Sequence, residues 1–157
     1  QQFARRVRSA AGEAETSESG ASTKSRGCII NIGSGANTVP FPNLADYCAS
    51  KGGIEQLTNV AAVELGPLGI RVNCVAPGAI EVERTRIEDP DYAGTWAAVT
   101  PARRVGQVED VAAAVVYLAS DAASFITGQT IIADGGQIAC QDNQRYMEIP
   151  GLKTEMK

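Results

Sequence analysis

Tyr47 and Lys51 stand four residues apart in the stretch Tyr47-Cys48-Ala49-Ser50-Lys51. On a helix that spacing puts both side chains on one face. A phenol is a poor base at neutral pH, and a neighbouring ammonium favours its ionised form. Such a pair can exchange a proton with an alcohol or carbonyl oxygen. Tyrosine and lysine at this spacing are common, so the pair needs company. Ser34 supplies it, thirteen residues before Tyr47 and just beyond an apolar run that ends at Ile32. In parallel α/β sheets ligands sit at the carboxyl ends of strands, where a hydroxyl can hydrogen-bond a reacting oxygen. Between Gly33 and Gly35, Ser34 can equally be an ordinary turn serine.

The composition narrows the chemistry. The chain has no histidine, which removes Ser-His-Asp and Cys-His catalysis. Its four cysteines, Cys28, Cys48, Cys74 and Cys140, form no C-x-x-C pair, so no Cys/His zinc site is expected. Reduced thiols in a cytoplasmic protein are the plain expectation. A net charge of −4 gives no reason to expect nucleic acid or an anionic membrane as partner. No apolar run approaches the roughly 20 residues of a membrane span. At 157 residues, 44% apolar and 20% charged, the chain suits one globular domain.

The elements that would position Ser34, Tyr47 and Lys51 follow from periodicity. Residues 1–11 read as helix, with Phe3 and Val7 four apart, and 12–26 as a mobile polar loop. Residues 28–32 are a β-branched run suited to a buried strand. A loop over 33–43 leads to a long helix from about Ala45 to Leu65, where Ile54, Leu57, Val60, Ala61 and Leu65 keep roughly helical spacing. Gly66, Pro67 and Gly69 end it. Residues 70–75 make a second strand, stopped by Pro77-Gly78. Residues 79–106 are expected to be irregular, with one short helix near 92–98. A helix over 108–120 carries Val111, Val115 and Leu118 on one stripe, and 130–133 are a third strand. Gly135-Gly136 closes that strand, and a polar tail runs to Lys157. The alternation predicts an α/β domain with a parallel sheet. The opening residues lack a helix N-cap and an initiator Met, so the chain is expected to be the later part of a longer polypeptide.

Several stretches together resemble the classical short-chain dehydrogenases/reductases. They are Asn31-Ile32-Gly33-Ser34, Tyr47 with Ser50-Lys51, Arg71-Val72-Asn73-Cys74-Val75-Ala76-Pro77-Gly78, Leu118 through Gln129, and Asp134-Gly135-Gly136. The resemblance runs from about Gln1 to Gly136. It implies a Rossmann-like, doubly wound α/β fold and an NAD- or NADP-dependent enzyme that interconverts a secondary alcohol and a ketone. By the same resemblance Tyr47 is the general acid/base, Ser34 orients the substrate oxygen, and Lys51 tunes Tyr47 and holds the nicotinamide ribose. Pro77, Gly78 and the backbone of Ile80 would contact the nicotinamide amide. Asn73 would be a structural hydrogen-bonding residue. The 118–136 segment would offer an interface for a homodimer or homotetramer. Residues 1–136 would form the C-terminal part of one domain and 137–157 a tail.

Departures accompany the resemblance. Glycine stands at position 33, where the family often has serine, and Val82 stands where it commonly has threonine. The family's T-G-x-x-x-G-x-G phosphate loop does not occur in these residues, nor does the residue that chooses NAD or NADP. Gly33-Ser34-Gly35 is no substitute, because the sixth position is Thr38 and no helix is expected to open there. The family's catalytic asparagine should fall before Asn31, and no asparagine does. In the 79–106 region Tyr92, Trp96 and Val99 could line a substrate pocket or merely pack the loop. Arg103 and Arg104 could attract an anion or form a solvated pair. The alternative to an oxidoreductase is a catalytically inactive member, or a non-enzymatic oligomerisation partner on the same fold.

Overall fold

The computed structural model describes residues 26–143. The helix expected over 1–11, nearly all of the 12–26 loop and the end of the tail lie outside them. The described residues hold a three-stranded parallel sheet, order β1-β2-β3, made of β1 (Gly27–Ile32), β2 (Ile70–Pro77) and β3 (Thr130–Ala133). Ile32 pairs with Val75, and Pro77 with Ala133. Helix α1 (Ala45–Leu65) packs on one face of the sheet and α4 (Val108–Ala119) on the other. The Rossmann-like, doubly wound arrangement expected above is therefore present.

The centre of the fold is β2, buried from Ile70 to Ala76. Side chains on a strand alternate between faces. Val75 faces α4 and forms a core with Leu118 and Ala123, joined by Val111 and Val115 from the expected stripe. Arg71 and Asn73 share that face, and burying them demands partners. The Arg71 guanidinium donates to the carbonyls of Leu118 at 2.7 Å and Ser120 at 3.2 Å, so a cation sits at the negative C-terminal end of α4. Asn73 donates to Ile126 O at 2.8 Å and accepts from Gln129 N–H at 3.0 Å. Thr127 Oγ1 accepts the Val72 N–H at 3.0 Å. The turn before β3 is thus tied to the middle of β2, and Asn73 is a structural residue as expected.

Four expectations need correction. The apolar spacing of α1 does not mark its sheet-facing side: Leu57 and Val60 are exposed, while Thr58 and Ala62 are buried. The reason is Asn31 on β1, whose amide donates to Thr58 Oγ1 at 2.9 Å and so turns a polar face inward. Strand β2 runs on through Pro77, since the Gly78 N–H supplies the bond to Ala133 O that the proline cannot donate. The 79–106 segment holds two helices, α2 (Glu83–Glu88) and α3 (Tyr92–Val99). Thr85 Oγ1 accepts the Val82 N–H and thereby starts α2. A short 3₁₀ turn, Ile138–Asn143, stands where polar tail was expected. The Asp134 carboxylate opens it by accepting the N–H groups of Gly136 and Ile138. Gly135 and Gly136 take φ of 65° and 87° there, which glycine adopts without strain.

Asn73→Ala would leave the Gln129 amide without its partner and the Ile126 carbonyl with only the longer bond from Arg71, at 3.4 Å. We expect a loss of about 1–3 kcal/mol in urea unfolding. An unchanged midpoint would show that this tie is dispensable.

Candidate active site

Parallel strands bring their carboxyl ends to one side of the sheet, and the sequence-predicted site residues gather there. Gly33 continues β1 by donating its N–H to Val75 O at 2.8 Å. Ser34 follows in extended conformation and caps a short 3₁₀ turn, Gly35–Asn37. Its Oγ accepts the Ala36 N–H at 3.2 Å, which fixes the side chain and leaves its O–H as a donor. A short turn does open here, although it is 3₁₀ and not the α-helix of a phosphate-binding loop. The Pro77-Gly78 turn adjoins it: a Cβ on Gly35 would lie 4.0 Å from Pro77 O and 2.9 Å from Ile138 Cδ1.

Tyr47 lies in the first turn of α1 and is 41% exposed. Lys51, one turn later, holds its ammonium 5.6 Å from the centre of the Tyr47 ring. That is within cation–π range. Lys51 Nζ also donates to Ile32 O at 3.2 Å. The lysine therefore joins Tyr47 on the helix to the end of β1, two residues before Ser34. Ser50 turns its hydroxyl back to Tyr47 O at 2.7 Å, within the helix.

Close packing explains the departure at Gly33. A Cβ at that position would lie 2.8 Å from the sulfur of buried Cys74. Serine at 33 and cysteine at 74 compete for one space. Burial pushes the Cys74 thiol above its ordinary range, with the Glu55 carboxylate adding to the push. The Gly33 backbone, the Thr130 hydroxyl and the Lys51 ammonium act the other way.

On the far side, Gly78 has no room for a side chain: a Cβ would meet Asp134 Cβ at 2.6 Å. Ile80 bridges to Gly106 and closes the base of the 79–106 loop. Burial pushes the Tyr92 phenol up, opposed by the backbone of Ile80, while Asp89 and Tyr47 push it further up. The Tyr92 ring meets Trp96 at 6.0 Å and 55°, whereas Val99 is half exposed. Val82, where the family commonly has threonine, serves as the N-cap of α2. Arg104 is engaged by Asp110 through two bonds of 2.6 and 2.8 Å, which hold that carboxyl well below the usual carboxylate range. Arg103 donates to Ala98 O. A cavity of about 240 Å³ opens beside Ala79, Arg104 and Asp134, away from Ser34, Tyr47 and Lys51. Among the described residues no group of His, Cys, Asp or Glu could hold a metal.

Two residues of this region were not visible as site residues. Asn37 Nδ2 donates to Glu55 Oε2 at 2.9 Å, joining the Ser34 turn to α1. The one available signal was spacing, since Glu55 follows Lys51 by four residues, as Lys51 follows Tyr47.

Residues 3–137 match the family model described as enoyl-(acyl carrier protein) reductase. The chain is 44% identical over 115 residues to 3beta-hydroxysteroid dehydrogenase 1 of Eggerthella lenta, a match covering 72% of this chain and 44% of that protein. It is likewise 44% identical over 114 residues to the galactitol 2-dehydrogenase (L-tagatose-forming) of Cereibacter sphaeroides, covering 70% and 45%. Among solved structures, the gluconate 5-dehydrogenase of Burkholderia cenocepacia, in complex with NADP and tartrate, superposes with a TM-score of 0.66 at 37% identity. That match covers 71% of this chain and 45% of that one. The chain thus spans less than half the length of these proteins.

Gly33→Ser should lower stability by about 1–3 kcal/mol through overpacking. Adding Cys74→Ala should recover most of it, as read by thermal or urea unfolding. Wild-type stability in the single Gly33→Ser variant would refute the competition for space.

Proposed function

The chain belongs to the short-chain dehydrogenase/reductase family, and we propose on that premise that its protein is an NAD- or NADP-dependent oxidoreductase interconverting a secondary alcohol and a ketone. The observation that carries this reading is the stacked Tyr47–Lys51 pair, anchored to Ile32 O beside Ser34. The Tyr47 hydroxyl gives its proton to the carbonyl oxygen in reduction and takes it from the alcohol in oxidation. The Ser34 O–H donates to the same oxygen and holds it in line. The Lys51 ammonium, 5.6 Å from the centre of the Tyr47 ring and bonded to Ile32 O, holds the phenol in place beside Ser34.

The donors at this end of the sheet suit a nicotinamide riboside. Lys51 would hold the ribose hydroxyls, and the Ile80 amide, beside side-chain-free Gly78, would meet the carboxamide. When bound, the nicotinamide supplies or accepts the hydride. NADP in the gluconate 5-dehydrogenase supports a nicotinamide dinucleotide as the cofactor here. 3-Oxoacyl thioesters and sugars or polyols are the substrate classes to assay first. Leu57, Val60 and Val63 on α1 and the fully exposed Phe125 support a homodimer or homotetramer. A monomer in sedimentation velocity would overturn that part. The four free thiols fit a reducing compartment such as the cytoplasm.

In the full protein, Tyr47→Phe should cut kcat by about 10²- to 10⁴-fold while dinucleotide binding persists. Near-normal kcat would sink the mechanism. Lys51→Ala should weaken dinucleotide binding, read as a raised Kd in a fluorescence titration. An unchanged Kd would remove Lys51 from the role of holding the ribose. If the full protein binds neither NADH nor NADPH, it is a non-enzymatic member of the family.

A further inference from the structure

We propose that Glu55 is a positioning residue for the Ser34 hydroxyl, acting through Asn37. The proposal rests on the Ser34, Tyr47 and Lys51 reading above. Tyr47, Lys51 and Glu55 follow one another at steps of four on α1, so they form one stripe along the helix. The first two address the reacting oxygen and its surroundings. The third reaches the turn that carries Ser34.

The connection is short and continuous. Glu55 Oε2 accepts from Asn37 Nδ2 at 2.9 Å in a partly buried setting. Asn37 is the last residue of the 3₁₀ turn, and its backbone N–H donates to Ser34 O at 3.0 Å. Ser34 Oγ accepts the Ala36 N–H within the same turn. The serine side chain and its turn are therefore one hydrogen-bonded unit, and Glu55 ties that unit to the helix bearing Tyr47. Upstream of Ser34, Lys51 holds Ile32 O and Thr58 holds the Asn31 amide. With Glu55 added, α1 grips the chain on both sides of the serine. A carboxylate acceptor makes a shorter and stronger bond than a neutral one. The precision matters, because a misplacement of about 1 Å at a reacting centre can cost roughly 100-fold in rate.

The test compares Glu55→Ala, Asn37→Ala, the double variant and Glu55→Gln in the full protein. Turnover and dinucleotide Kd are measured beside hydrogen–deuterium exchange. Glu55→Ala should lower kcat by roughly 10- to 100-fold with Kd unchanged. Asn37→Ala should do the same, and the double variant should be no worse than either. Glu55→Gln keeps a carbonyl acceptor for Asn37 and should recover most of kcat. Independently of turnover, the amides of residues 36–39 should exchange about tenfold faster in both alanine variants, while those of β2 keep their wild-type rates. Unchanged exchange at 36–39 overturns the proposal, as does equal acceleration along β2, which would report general unfolding. Equal damage from Glu55→Gln and Glu55→Ala also overturns it, since charge and not anchorage would then be at work. If the wild-type protein lacks turnover, the proposed function fails, and the exchange measurements still decide the anchor.

Discussion

Every other element answers to the burial of β2. Seven residues, Ile70 to Ala76, are closed off on both faces, and two of them, Arg71 and Asn73, are polar. An unpaired polar group there would cost about 1–3 kcal/mol or more. The chain meets that demand with backbone carbonyls at the end of α4 and in the turn before β3. The same bonds thereby fix where α4 stops and where β3 starts. Arg71 Nε remains without a protein partner, so the demand is met almost but not wholly. The other face of β2 carries no such charge. It offers Cys74 and small neighbours, and that is why Gly33 can pass so close above it.

The candidate site is the other side of this arrangement. Helix α1 turns Thr58 and Ala62 inward, not the stripe of larger apolar residues its spacing suggested. It is laced to β1 and its following turn by three side-chain bonds, Asn31–Thr58, Lys51–Ile32 and Asn37–Glu55. Polar lacing is directional, whereas apolar packing tolerates sliding by fractions of an ångström. A helix that presents Tyr47 and Lys51 to a reacting oxygen benefits from the directional kind. The outward residues Leu57, Val60 and Val63 are then left for another surface.

Much of the fold was legible in the sequence where residue chemistry punctuates it. The end of α1 follows from Gly66-Pro67, and β3 from its β-branched run before Gly135-Gly136. The α4 stripe of Val111, Val115 and Leu118 packs as its spacing predicts. Helix α2 escaped because Glu83–Glu88 holds a single apolar residue, so no periodicity marks it. Its Thr85 cap and its Arg84–Glu88 pair at 2.7 Å are local polar effects. The buried side of α1 escaped for a related reason: Thr58 is buried to satisfy Asn31, a long-range pairing that no apolar pattern records. In the site, Ser34, Tyr47 and Lys51 were visible through spacing and resemblance. Asn37 and Glu55 were not, since their link exists only once the turn and helix are set side by side.

The three lacing bonds also bear on the order in which the molecule assembles. They join residues 27, 19 and 18 positions apart. The bonds that seat Arg71 and Asn73 span 47 and 53. The entropy of closing a loop rises with the logarithm of its length, by about 0.6 kcal/mol per doubling. Nearer contacts also form sooner in a folding chain. The β1–α1 unit that carries the reactive groups can thus gather early, before the far edge of the sheet is built. Its internal geometry is written into a contiguous stretch of fewer than forty residues, from Gly27 to Thr58.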